Sequence, residues 1–237
     1  MCKNAVLLRD IIFKYDPFFV SAISRKIFLR DPADINVERM VEKTMALVGG
    51  YNSVGDCPIE GAHKDFSDGS ECKTASIASK HYGTSRNSFT FTITGVMSSG
   101  GNMKTGDLRV VLYNPHLNKC HFMYIPNSHL KNKLNVVKTT RNIGNIGGSW
   151  NSKKNSFGKF DEYLVDSFIE LAEMTSEKFE NKINEKKASQ QGINAAWHQK
   201  TQWKQVINPY DYETQKQFHM IWTRAYLLTL QGREDII

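Results

Sequence analysis

The stretch Lys64-Asp65-Phe66-Ser67-Asp68-Gly69-Ser70-Glu71-Cys72-Lys73-Thr74-Ala75-Ser76-Ile77 decides how the chain is read. Its first half is a turn, because Ser, Asp and Gly in succession suit a tight backbone reversal. Its second half, with Thr and Ile, reads as a strand. If Ser67, Asp68 and Gly69 form a three-residue hairpin loop with Gly69 in the left-handed conformation, Phe66 pairs with Ser70 and Asp65 stands opposite Glu71. Glu71 and Lys73 are two residues apart, so an extended strand turns both to one face and Cys72 to the other. Two carboxylates and one ammonium then converge. A two-residue Asp68-Gly69 turn would instead pair Phe66 with Glu71 and leave Asp68 at the tip as the second carboxylate. The three-residue loop is preferred, with Asp68 as the alternative.

Paired carboxylates on adjacent strands hold a hard divalent cation such as Mg²⁺ through oxygen and leave positions for water and a phosphate oxygen. A lysine beside them orients or deprotonates the attacking water and stabilises charge building at phosphorus. A structural ion-pair hairpin is the alternative reading of the same residues. Cys72, turned inward, reads as a small core residue rather than a nucleophile.

The hairpin opens a segment of one sign. From Cys72 to Phe160 there are 13 basic residues against Asp107 alone, a balance of +12, whereas residues 1–71 carry −2 and residues 161–237 carry −3. A polyanion partner, most simply nucleic acid, explains a one-sign segment between acidic flanks better than solubility, which mixed signs serve equally well.

Working outward, the apolar stripe Ile35, Met40, Val41, Met45 and Leu47 predicts a helix before the hairpin, ending at Gly49-Gly50. Runs rich in Val, Ile, Thr, Phe and Tyr predict strands over about 70–79, 88–97, 108–113 and 119–126. Residues 142–158, in which Gly, Asn and Ser supply 11 of 17 positions, predict a loop. Within it, Trp150 reads as a cap on a neighbouring core rather than a base-stacking wedge. Two helices are expected beyond it, a long one over 161–187 and a second over 213–230 apolar enough to pack on a sheet or a second copy. The order is α, several β, then α. That is a single α/β domain over 1–237, a central mixed sheet flanked by helices.

The 237 residues, 40% of them hydrophobic, exclude disorder and fibre. Cys2, Cys57, Cys72 and Cys120 contain no C-x-x-C pair, which excludes a zinc knuckle and a disulfide framework and fits a reducing, cytoplasmic setting. Charges break up every run long enough to span a membrane. No phosphate-binding G-x-x-x-x-G-K-[S/T], dinucleotide fingerprint or nucleophile elbow is present.

The string Asp65-Phe66, a short Gly-containing turn, then Glu71-Cys72-Lys73-Thr74 resembles the active-site hairpin of the PD-(D/E)xK nuclease superfamily. The branch it is most similar to contains the mismatch-repair nicking enzyme MutH and related type II restriction endonucleases. The resemblance covers about ten residues. It implies a restriction-endonuclease-like core and Mg²⁺-dependent cleavage of double-stranded DNA, with Asp65 and Glu71 as metal ligands and Lys73 at the water. It also allows a glutamate from the preceding helix, Glu38 or Glu42. With the charge pattern, it makes a type II restriction enzyme the expected function, and a palindromic target would then imply a homodimer. A repair or phage nuclease and a non-catalytic nucleic-acid-binding protein are the alternatives. Phosphate and groove contacts are expected from Arg141, Asn145, Lys153, Lys154 and Lys159. Further base readers are expected in loops over 141–159 and 190–205, among Asn142, Asn151, Gln190, Gln191, Asn194, Gln199 and Gln202.

Overall fold

A computed structural model describes residues 41–50 other than 43 and 47, and residues 65–78, 86–97, 106–117, 119–138, 144–202 and 206–233. Glu38, Arg141 and Asn142 lie outside them, as do most of the residues of the first helix expected from the sequence. The chain divides into two compact units at Met174.

The first unit holds two sheets. One is four-stranded and mixed, in the order β1 (Glu71–Ser76), β3 (Leu108–Asn114), β4 (Lys119–Ile125), β7 (Leu164–Val165). β1 runs parallel to β3, with Glu71 opposite Leu108 and Lys73 opposite Val110, and the remaining pairs are antiparallel. The other sheet is antiparallel, β2 (Ser88–Ile93), β6 (Gly144–Asn151) and β5 (Val136–Lys138) in the order β2-β6-β5. A parallel pair needs a long crossover. Here the chain between β1 and β3 supplies it and contributes β2 to the second sheet on the way.

All seven residues of β3 are buried. Full burial of a Val or Leu side chain contributes about 1.5–3 kcal/mol, more than one backbone hydrogen bond nets. The central position of β3 is therefore set by Leu108, Val110, Val111 and Leu112, and β1 pairs onto it through Cys72 and Ala75, which are also buried. Helical residues 41–42, 44–46 and 48–49 bury Val41 and Met45 of the expected stripe, and Ala46 and Val48 besides; Ile35, Met40 and Leu47 lie outside the described residues.

Two expectations are corrected. Residues 142–158 are not a loop throughout, because 144–151 form β6, the middle strand of the second sheet. Its glycines lower strand propensity, yet a Cβ at Gly148 would lie 2.2 Å from the Phe91 ring, so a larger residue could not pack there. Nor is 161–187 one helix. It comprises the end of a 3-10 turn (Gly158–Tyr163), β7, the short helix α2 (Phe168–Glu173) and the start of α3 (Ser176–Gln202). The breaks sit at caps: Ser167 Oγ accepts from Glu170 N at 3.1 Å, and Thr175 Oγ1 from Lys178 N at 3.2 Å. Between β4 and β5 lies the six-residue helix α1 (Asn127–Asn132).

The second unit pairs α3 with α4 (Lys216–Leu230), which buries Trp222, Ala225 and Thr229. Tyr210 donates to Gln191 Oε1 at 2.8 Å, and Lys200 donates to the Thr229 carbonyl. No described helix is long and apolar enough to cross a membrane.

Candidate active site

The turn before β1 is the three-residue form. Phe66 N donates to Ser70 O at 3.2 Å, Gly69 N donates to Phe66 O at 2.9 Å, and Gly69 has φ +85°, a conformation that favours glycine. Gly106 backs this turn so closely that a Cβ there would stand 1.9 Å from the Gly69 carbonyl oxygen. The Asp107 carbonyl accepts from Glu71 N at 2.8 Å, and Asp65 Oδ2 accepts from Cys72 N at 2.8 Å. Both ends of the hairpin are thus fixed by backbone donors.

On this frame three side chains meet. Lys73 Nζ lies 3.6 Å from Asp65 Oδ2 and 3.5 Å from Glu71 Oε2. The Glu71 side chain is 1% exposed, that of Lys73 12% and that of Asp65 27%, so the cluster is open from the Asp65 side. An ion pair this enclosed gains far more from Coulomb attraction than a surface pair, but each charge also loses hydration. Cys72 is fully buried on the opposite face.

Asp68 serves a different end. Its Oδ1 accepts from Ser70 N at 3.0 Å and Ser70 Oγ at 2.6 Å, and its Oδ2 accepts from Arg109 Nη2 at 3.0 Å. Burial works to raise its pKa, but the Ser70 hydrogen bonds and the Arg109 charge outweigh it and hold the carboxyl below its ordinary range. Sequence reasoning missed the residue behind this arrangement. Arg109, 1% exposed, also donates to Ser70 Oγ and to the carbonyls of Leu171 at 3.2 Å and Met174 at 2.9 Å. Its guanidinium carbon stands 5.6 Å from both the Phe66 and Tyr124 ring centroids. Counted among the cations of the basic segment, it is an internal clamp that ties the hairpin tip to the end of α2 and reaches no phosphate.

The other candidates are more dispersed. Lys153, Lys154 and Lys159 are exposed. Asn145 is half-buried on β6. Gln190, Gln191 and Asn194 lie on helix α3, not in a loop; Gln190 donates to Asn194 Oδ1 at 3.0 Å and Gln191 accepts from Tyr210. Trp150 is 2% exposed, stacked on His116 with its Nε1 donating to Asn155 Oδ1 at 3.1 Å, and is therefore core. Glu42 is buried on the first helical segment.

The donor set suits a hard cation: Asp65 and Glu71 offer oxygen only, and Lys73 holds them together. Among the described residues no group of three His, Cys, Asp or Glu adds a further ligand. An octahedral ion would take its remaining positions from water and phosphate. The chain matches no family model and no curated protein.

Proposed function

We propose that the chain is a Mg²⁺-dependent endonuclease of double-stranded DNA, of type II restriction class, with a restriction-endonuclease-like core. The observation that carries this is the meeting of Asp65, Glu71 and Lys73 on one hairpin, with Lys73 Nζ 3.6 and 3.5 Å from the two carboxylates. The +12 segment that this hairpin opens supports nucleic acid as the substrate.

Asp65 and Glu71 would hold the ion, which when bound supplies charge at the scissile phosphate and lowers the pKa of bound water. The roles of the chain's own groups follow from their placement. Asp65, the most exposed of the three, faces the approaching phosphate. Glu71, 1% exposed on a strand whose start is held by its backbone bond to Asp107, would be the enclosed ligand of the ion. Lys73 Nζ, held as an ammonium by both carboxylates, would orient the attacking water and stabilise negative charge building at the phosphate, while the water's proton leaves to solvent. Arg109 and Asp68 keep the turn that sets Asp65 opposite Glu71.

Incubation with unmethylated plasmid and phage DNA tests this, with Mg²⁺ or with chelator. Discrete, Mg²⁺-dependent bands are expected. A metal-dependent smear would indicate a repair or phage nuclease with the same site, and DNA bound but intact on every substrate would leave a binding protein.

A further inference from the structure

Along β2, Phe91 and Ile93 turn inward while Thr90 and Thr92 are exposed, and across the ladder their partners Ser149 and Gly147 are exposed too. This face carries short hydroxyls or no side chain, so another molecule's backbone can come close. A groove of about 560 Å³ runs along Thr90–Thr92 and 147–149, and Phe157, Lys159 and Phe160 also line it.

At the end where β2 begins and β6 finishes, two turns meet, with Ser152 N donating to Asn87 O at 2.8 Å. The meeting puts Arg86, Lys153 and Lys154, all exposed, in adjoining turns. The lysine turn is rigid. Asn151 Oδ1 accepts from Lys153 N at 3.1 Å and Lys154 N at 3.0 Å, and Asn151 N donates to Ser156 O at 2.8 Å. The nearby acid Asp161 is occupied, accepting from Ser156 Oγ at 2.5 Å and Phe157 N at 2.6 Å. Among the described residues the three cations have no acidic partner.

Two residues beyond the end of β2 the chain reaches the candidate active site, since a Cβ at Gly95 would lie 3.8 Å from Lys73 Cε. Asn87 and Gly95 are eight residues apart, which at about 3.3 Å per residue is at most about 26 Å. That is the length of about eight base pairs.

We infer that the outer face of β2 and β6 docks the backbone of the DNA duplex. Arg86, Lys153 and Lys154 grip phosphates no more than about eight base pairs from the bond at Lys73, and the Thr, Ser and Gly face lies against the duplex between. The choice of DNA rests on the nuclease reading, whereas the surface rests on charge and shape. The Thr, Ser and Gly side chains between are too short for bidentate base contacts and the three cations are assigned to phosphates, so the surface holds every sequence alike.

Fluorescence anisotropy of labelled duplexes of unrelated sequence, in chelator and over a salt series, tests this on the full chain. The triple variant Arg86→Gln, Lys153→Gln, Lys154→Gln should bind every duplex at least about tenfold more weakly, and its slope of log Kd against log salt should fall by about 2 to 3. If the triple variant is unstable to heat, each single variant should lower the slope by about 0.9. Neutral methylphosphonates spread along the duplex should weaken the wild type more than the triple variant. An unchanged slope, a loss confined to one sequence, or tighter binding of duplex RNA overturns the inference. A wild type that binds in this way but never cuts would overturn the nuclease reading and leave the surface standing.

Discussion

At the scale of single residues, the arrangement depends most on Arg109. Its buried guanidinium satisfies two carbonyls, a hydroxyl and the half-buried Asp68 carboxylate. Arg109→Met should lower the unfolding free energy by about 3 kcal/mol in urea, because it strands those acceptors and leaves Asp68 without its cation. Asp68 gives a pH signature. Its folded pKa lies below the ordinary 3.8, so the stability it contributes is complete above that value and is lost as pH falls through the folded pKa. Denaturation midpoints followed down in pH should show a steeper acid loss in the wild type than in Asp68→Asn. The hairpin was legible because Ser, Asp and Gly in a row demand a turn and because Glu71 and Lys73 share strand parity. Arg109 was not legible, since its partners stand 39, 62 and 65 residues away and nothing in Leu108–Asn114 marks which residue they enclose.

Among the elements, four strands stood out in the sequence because Val, Ile, Thr, Phe and Tyr fill them and turn residues bound them. β6 did not, because Gly148 answers to the Phe91 and Phe160 rings and Gly144 to Met97 and Val136, which only the folded chain brings there. The break between α2 and α3 was present in the sequence as Ser167-Phe168-Ile169-Glu170 and as Thr175, but the apolar spacing running through it masked these caps. On β4, burial and then the charge of Lys119 push His121 down to about 4, beside Asn114 and the Phe157 ring. A depressed histidine favours the fold while neutral. Stability should therefore be full above about pH 6.5 and decline toward pH 4, and His121→Gln should flatten that decline in thermal melts.

For the whole molecule, charge and hairpin point to the same proposed site. The basic segment holds β1 through the turns after β6, all in the first unit, and the acidic balance follows it in the sequence. A restriction enzyme with a palindromic target works as two copies, so sedimentation with a duplex carrying the cut site should show two chains per duplex, and one chain per duplex would contradict that proposal. The central claim is that Asp65, Glu71 and Lys73 form the cleaving centre and that Asp68 does not. Single-turnover cleavage in Mg²⁺ by Asp65→Asn, Glu71→Gln, Lys73→Ala and Asp68→Asn, beside the wild type, tests it most directly. The first three variants should lose about 10²-fold or more while still binding DNA, and Asp68→Asn should keep most of its rate. Wild-type rates in the first three, or a loss confined to Asp68→Asn, would contradict it.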